Sequence, residues 1–333
     1  MRAIRVDQTG PAENLLLVEA EAPGLGDDAV LIDVALAGII YADIEQRRGS
    51  YYIETKLPHY PGREIAGTIT KIGKNVGAFS NGQRVAALVL SGGGYAEQIA
   101  APTQPYTFPS GITVPSADII ALPDRVSFGQ GLVYIINFRI AHILFHAYLQ
   151  IAAGAVVLIH GAAGGFGSVL TQIARENGSR VIALCRTNEE SQYCKENGAE
   201  ACINITEVNY VEAVLELTAG QGADHSLNGV AGATLVEDPK ALKTFGELVV
   251  YGYAAGKLPV DIFGFTKSIT IKTFSADDFL RGAAFTDATA AMHKWFKTKQ
   301  LLDVTRIFPL EEAAAAHQWI EDGKSLGKIA LKP

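Results

Sequence analysis

Gly161, Gly164 and Gly167 punctuate the segment His160-Gly161-Ala162-Ala163-Gly164-Gly165-Phe166-Gly167, between the apolar run Val156-Val157-Leu158-Ile159 and a helix-like stretch from Ser168 to Asn177. Glycines here let the chain reverse tightly and let backbone N–H groups approach a pyrophosphate, whose charge suits the N-terminus of the helix behind them. A strand running into such a turn and on into a helix is the context a dinucleotide fingerprint requires. The chemistry implied is dinucleotide binding through Gly161, Ala162, Ala163, Gly164, Gly165, Phe166 and Gly167.

An enzyme selective for NAD places an acid roughly twenty residues beyond the glycines, on the adenosine 2′-hydroxyl. Here the chain reads Leu184-Cys185-Arg186-Thr187-Asn188, with no acid among these residues. Arg186 offers a planar, permanently charged fork for a 2′-phosphate, and Thr187 adds a hydroxyl. NADPH is the cofactor this pattern favours.

The elements that must hold these residues follow from periodicity. Short β-like runs separated by glycine and proline, among them Ala29 to Ala35, Glu64 to Ile72 and Gln83 to Leu90, fill the first hundred residues. Pro102, Pro105, Pro109 and Pro115, with Tyr106 and Phe108 between them, block helix continuation and central-strand pairing, so 102–115 reads as a long surface loop, either passive or acting as a lid or partner contact. A helix is expected from Gln130 to Gln150. Strand-like Arg180 to Leu184, Ala201 to Ile205 and Gly246 to Tyr251 then alternate with helical stretches such as Glu189 to Asn197, which implies an α/β fold with a doubly wound parallel sheet. The terminal run Gly327 to Leu331 is a candidate strand that pairs back with the first domain.

With 333 residues the chain is long enough for two hydrophobic cores, and 48% hydrophobic against 19% charged residues is a globular balance. The net charge of −7, with basic residues scattered, offers no footprint for nucleic acid. The N-terminus lacks the apolar core of a signal peptide and no membrane-spanning stretch is read, so a cytoplasmic protein is expected. Cys185, Cys194 and Cys202 show neither disulfide logic nor metal-ligand spacing and read as reduced, mostly structural thiols. His142 and His146 are four residues apart on a helix among apolar neighbours, and packing accounts for them better than a metal.

Further segments, taken in order, resemble the zinc-independent quinone oxidoreductase branch of the medium-chain dehydrogenase/reductase superfamily. They are Ala37-Gly38-Ile39-Ile40-Tyr41-Ala42-Asp43, Gln46-Arg47-Arg48-Gly49, Pro61-Gly62-Arg63-Glu64-Ile65-Ala66-Gly67, Gly92-Gly93-Gly94-Tyr95-Ala96-Glu97 and the glycine turn itself. The resemblance implies a GroES-like catalytic domain, expected over 1–125 and 290–333, and a Rossmann cofactor domain over 126–289. It also implies a homodimer and hydride transfer at a cleft between domains. Zinc-dependent relatives place a cysteine near Ile40 and a histidine at Arg63, so no metal site is expected here. Other relatives carry asparagine at the place of Ile40 and a lysine near Glu190.

The expected reaction is hydride transfer from NADPH to the β-carbon of a quinone or other α,β-unsaturated carbonyl, with a nearby donor stabilising the enolate oxygen. Tyr41 and Tyr51 either supply that donor and line the site or are packed structurally. Asn137 resembles the family residue beside the nicotinamide, and Asn228, Gly229, Val230 and Gly252 resemble the backbone segments that flank it. Two alternatives stay open: a narrow enoyl or alkenal double-bond reductase, and a non-catalytic, crystallin-like NADPH-binding protein.

Overall fold

The computed structural model describes residues 1–102, 105–107, 113–115, 117–257 and 260–333. The chain divides into two compact units, one comprising Met1–Arg139 with Thr289–Pro333 and the other Ile140–Ala288.

The first unit is built on a seven-stranded sheet among the described residues. Its path runs Val304–Pro309, Lys328–Lys332, Ala29–Gly38, Glu64–Ile72, Arg84–Val89 and Ala117–Ala121, with Gln98–Pro102 also paired to Ala29–Gly38. Ala29–Gly38 serves three neighbours because register shifts between Leu31 and Ile32 and between Val34 and Leu36 re-aim it along its length. Val30, Ile32, Val34 and Ile65, Ile69 are buried in one core with Val85, Ala87 and Val89. The terminal run pairs back as expected: Ala330 lies opposite Gly38 and Leu331 opposite Ala37, antiparallel. A side chain at Gly38 would meet Glu64 Oε2 at 2.8 Å and Lys328 Cε at 2.9 Å, and those two residues form a buried ion pair.

The second unit carries a six-stranded, all-parallel sheet in the order Ala201–Asn204, Arg180–Cys185, Val156–Ile159, Ala223–Asn228, Leu242–Val250, Thr270–Thr273. Alternation along the strands buries both faces. Val156, Leu158, Ile182 and Leu184 share a core with Val211 and Val214 of the helix Tyr210–Leu217, while Val157, Ile159, Val181 and Ala183 are buried on the opposite side of the pleat. The chain reverses direction across the sheet between Val156–Ile159 and Ala223–Asn228. Ligands of open parallel sheets bind at such a switch point, beyond the C-terminal ends of the strands.

Two expectations change. The proposed loop 102–115 contains a ladder in which Pro105–Thr107 pairs antiparallel with Thr113–Pro115; each strand has one partner, so a proline can turn its missing donor away from the pairing. Residues 103–104, 108–112 and 116 lie outside the described set, and with them the region on which a lid or partner role would rest. The helix expected over 130–150 starts at Phe128, capped by Ser127, whose hydroxyl accepts from Gln130 N at 2.9 Å. It is interrupted at Ile136 and continues as Asn137–His142 and a π-helical stretch Ile143–Tyr148. By length and composition this run of 21 residues, which includes Arg139, could cross a membrane, but 78% of its most apolar window is buried inside the protein. It has the burial of a core helix.

Candidate functional site

The turn after Val156–Ile159 brings its glycines together for different reasons. Gly161 has φ +60°, the left-handed region, and accepts a hydrogen bond from Gly164 N at 2.9 Å. A Cβ on Gly167 would stand 2.2 Å from Gly161 O and 2.7 Å from Ala162 Cα, so only glycine lets the helix pack this close to the strand. That helix, Gly165–Glu176, begins three residues before the expected Ser168, which puts Gly165, Phe166 and Gly167 in its first turn. Close packing has overridden the weak helix propensity of glycine. Among the described residues no side chain caps the helix at Gly164.

The segment after Ala223–Asn228 adjoins this turn. A Cβ on Gly161 would lie 3.9 Å from Val230 Cγ2, and the rings of Phe166 and Tyr251 meet edge to face at 5.2 Å. Gly252 must be glycine, since a Cβ there would come within 2.6 Å of Gly229 O. The Asn228 side chain is buried and engaged. Its oxygen accepts from Val230 N (2.9 Å) and Ala231 N (2.8 Å), and its amide donates to Thr234 Oγ1 and Asp238 Oδ2, each at 2.8 Å. Asn228 therefore shapes the turn, holding Ala231 at φ +58°, and what the turn offers a ligand is the backbone of Gly229 and Val230.

Asp238 anchors this arrangement and was missed by the sequence reading. Fully buried, it accepts from His160 Nε2, Tyr210 Oη, Ser226 Oγ and Asn228 Nδ2, all at 2.8 Å. Burial opposes its ionisation, but the adjoining His160 and these donors outweigh that and hold its carboxyl below the usual range. It fixes the strand that enters the glycine turn and the strand that ends at Asn228 to a single carboxylate. An aspartate before Pro239 within a helix gives no sequence signal for such a role.

Arg186 and Thr187 follow the neighbouring strand Arg180–Cys185. Arg186 Nη2 donates to Glu190 Oε1 at 2.7 Å and Arg186 N to Glu190 Oε2 at 2.6 Å; Arg186 is 47% exposed and Glu190 8% by side chain. An acid thus does stand beside Arg186, four residues on, where the sequence reading found none within Leu184–Asn188. Thr187 caps the helix Asn188–Glu196, its hydroxyl oxygen accepting from Glu190 N at 3.1 Å. Capping uses a lone pair and leaves the hydroxyl proton as a donor.

Tyr41, Tyr51 and Asn137 belong to the other unit. Tyr41 opens the helix Tyr41–Arg48, and its hydroxyl accepts from Arg48 Nη1 at 3.5 Å. Tyr51 Oη accepts from Arg63 Nη1 at 3.0 Å, and Arg63 is 7% exposed. Asn137 is buried at the start of its helix. Nearby, Tyr95 Oη donates to Asp43 Oδ2 at 3.2 Å and lies 3.0 Å from His317 Nε2, all three fully buried.

The alcohol dehydrogenase GroES-like domain family matches residues 26–110, and the zinc-binding dehydrogenase family matches residues 165–296. The residues here do not fit a zinc ion. The Arg63 guanidinium is a donor, bonded to Tyr51, and among the described residues no group of three His, Cys, Asp or Glu side chains is arranged to hold a metal. The human quinone oxidoreductase is 32% identical over 339 residues, covering 99% of this chain and 97% of that protein. The Escherichia coli quinone oxidoreductase solved with NADPH shares the fold, with a TM-score of 0.88 at 23% identity and coverage of 100% of both chains. A mycobacterial protein solved with NADPH has a TM-score of 0.85 at 29% identity, again over 100% of both chains. The chain belongs to the quinone oxidoreductase family of the medium-chain dehydrogenase/reductase superfamily.

Proposed function

We propose that this protein is an NADPH-dependent oxidoreductase that reduces a quinone or another α,β-unsaturated carbonyl without zinc. The observation that carries the reading is the cradle formed by Gly161, Gly167, Gly229 and Gly252 around an uncapped helix N-terminus at the switch point of a parallel sheet. Backbone N–H groups there suit a pyrophosphate, and Arg186 with Thr187 at the end of the adjacent strand suits a 2′-phosphate. The NADPH-bound relatives support the same cofactor.

The bound cofactor would supply the hydride; the chain's own part is binding, orientation and proton placement. For the donor we assign Tyr51. Arg63 donates to its oxygen at 3.0 Å, and a phenol that accepts from a guanidinium is itself a stronger hydrogen-bond donor. Tyr41 faces the partly exposed Arg48 and is assigned no proton transfer. Asn137 is the residue we place against the nicotinamide, on the strength of the family resemblance.

A homodimer also fits. Thr270–Thr273 is the outer strand of the six-stranded sheet, Ile271 on it is 43% exposed, and Phe245, beside it through Phe245 N to Ser268 O at 2.6 Å, is 78% exposed. An open edge flanked by exposed apolar side chains is a template for pairing with a second copy. A cytoplasmic location accords with a family of NADPH-dependent reductases.

The test is NADPH consumption against a panel of quinones, enones, enals and simple aldehydes. Turnover with quinones or conjugated carbonyls, and none with simple aldehydes, is expected. Turnover confined to simple aldehydes, or tight NADPH binding with none of the panel reduced, would overturn the reading.

A further inference from the structure

The three cysteines, nine and eight residues apart in sequence, converge in space. Cys185 ends the strand Arg180–Cys185, Cys194 lies on the helix Asn188–Glu196 and Cys202 lies on the strand Ala201–Asn204. Cys185 and Cys194 are buried with their sulfurs 3.7 Å apart. Cys202 is half-buried, donates at 3.4 Å to Ser191 O on the helix that carries Cys194, and lines a surface cavity of about 690 Å³ together with Ser191, Lys195, Asn204 and Val208. One thiol therefore faces a solvent-filled recess while two stand behind it.

We propose that these thiols form an oxidation site in which Cys202 takes a hydroperoxide from the cavity and one of the two buried cysteines closes a disulfide with it. The Cys202 sulfur attacks the terminal oxygen of the hydroperoxide. The O–O bond breaks, Cys202 becomes a sulfenic acid, and the alkoxide leaves and takes up a proton as the alcohol. The sulfur of Cys194 or Cys185 then attacks the sulfenic sulfur, its proton leaves with the departing hydroxide as water, and the S–S bond forms. Two thiols lose two electrons and the peroxide gains them.

The surroundings support the division of roles. As a thiol, Cys202 donates to Ser191 O at 3.4 Å; as a thiolate it gives up that bond and accepts from its two neighbours. Hydrogen bonds from Cys185 and then Cys194 hold the Cys202 thiol well below its ordinary range against the opposing effect of burial, and the Lys195 charge assists. Hydrogen bonding to Cys185 and Cys202, together with burial, pushes Cys194 up, so it keeps its proton until the sulfenic acid is present. The same helix that carries Cys194 begins at the Thr187 cap and holds Glu190 against Arg186, so moving Cys194 toward Cys202 loads the residues assigned to the 2′-phosphate.

The experiment is mass mapping of the reduced full chain after one equivalent of hydrogen peroxide. Trypsin cuts after Arg186 and Lys195, which puts each cysteine on its own peptide. The expected product is a linked pair joining the Cys202 peptide to that of Cys194 or Cys185, lost in Cys202→Ser. In a Cys185→Ala/Cys194→Ala variant, a sulfenic acid at Cys202 should accumulate and be trapped by dimedone. Three free thiols in the treated wild type, direct passage of Cys202 to sulfinic acid, or a Cys185 to Cys194 link with Cys202 still free would each overturn the proposal. Weakened NADPH binding in the disulfide form rests additionally on the function proposed above, and the mapping does not depend on it.

Discussion

Arg186 and Glu190 are bonded twice, side chain to side chain at 2.7 Å and backbone N–H to carboxylate at 2.6 Å, so the cation assigned to the 2′-phosphate is already paired with a buried acid. Glu190 orients the fork and also places a negative charge beside the phosphate it would receive. Glu190→Gln keeps an acceptor for Arg186 N and removes that charge, so NADPH affinity should rise roughly 3- to 10-fold with NADH little changed, an effect of the size of one partly buried charge interaction. Arg186→Ala should do the reverse, weakening NADPH far more than NADH. Fluorescence titration with both nucleotides checks this, and equal changes for the two would remove Arg186 from the site.

Gly167→Ala should abolish nucleotide binding and destabilise the chain. The added carbon meets backbone, Gly161 O at 2.2 Å and Ala162 Cα at 2.7 Å, and no rotamer relieves it. Overpacking of this kind costs about 1–3 kcal/mol or more, and here it also displaces the turn. Gly220→Ala is a useful contrast: it has a positive φ but nothing within 4 Å, so it should strain the backbone locally and leave binding intact. Thermal melts with and without NADPH separate the two.

Tyr51→Phe should lower kcat about 100-fold, the lower end of what a positioned proton donor contributes, with the KM for NADPH unchanged. It also leaves the buried Arg63 without the oxygen it donates to, so some loss of stability, about 1–3 kcal/mol, should accompany it. Tyr41→Phe, whose hydroxyl meets Arg48 at 3.5 Å, should stay within about twofold of wild type. Steady-state rates for both variants decide the assignment; a silent Tyr51→Phe would assign the proton to another group.

His317 gives a pH dependence whose sign can be worked out. Burial first, then the Arg47 charge, lowers its folded pKa from 6.5 to about 3. The unfolded chain therefore binds the proton more readily. This contribution is fully present above about pH 6.5 and is lost as pH falls, by about 1.4 kcal/mol per unit while the folded histidine stays neutral. Urea melts at about pH 7, 6 and 5 should show a shallower decline for His317→Gln than for wild type. Parallel declines would mean that His317 does not titrate between the two states.

Much of the nucleotide side was legible because it follows local rules. A strand, a glycine turn and a helix announce themselves by residue type, and the strand alternation gave the parallel sheet with ends displaced by a residue or a few. The misplaced start at Ser168 shows the limit: whether Gly165 to Gly167 are loop or helix depends on contact with the preceding strand, which periodicity does not carry. Other features depend on pairings distant in the chain. Asp238 gathers donors from four separate positions, Lys328 reaches Glu64 across 264 residues, and three unremarkably spaced cysteines meet because a strand, a helix and a strand fold over one another. The acid beside Arg186 stands at the helical spacing of four, outside the Leu184–Asn188 window where an acid for the 2′-hydroxyl is expected, and only the turn of the helix brings Glu190 back to the guanidinium.

The central claim is metal-free, NADPH-dependent reduction, and the most direct test compares NADPH with NADH in quinone-dependent cofactor oxidation by the purified chain, with and without a strong zinc chelator. The account predicts turnover with NADPH, a kcat/KM for NADPH at least about tenfold above that for NADH, or about 1.4 kcal/mol, and rates unmoved by the chelator. Rates that collapse on chelation and return with zinc, or an equal or better kcat/KM with NADH, would contradict it.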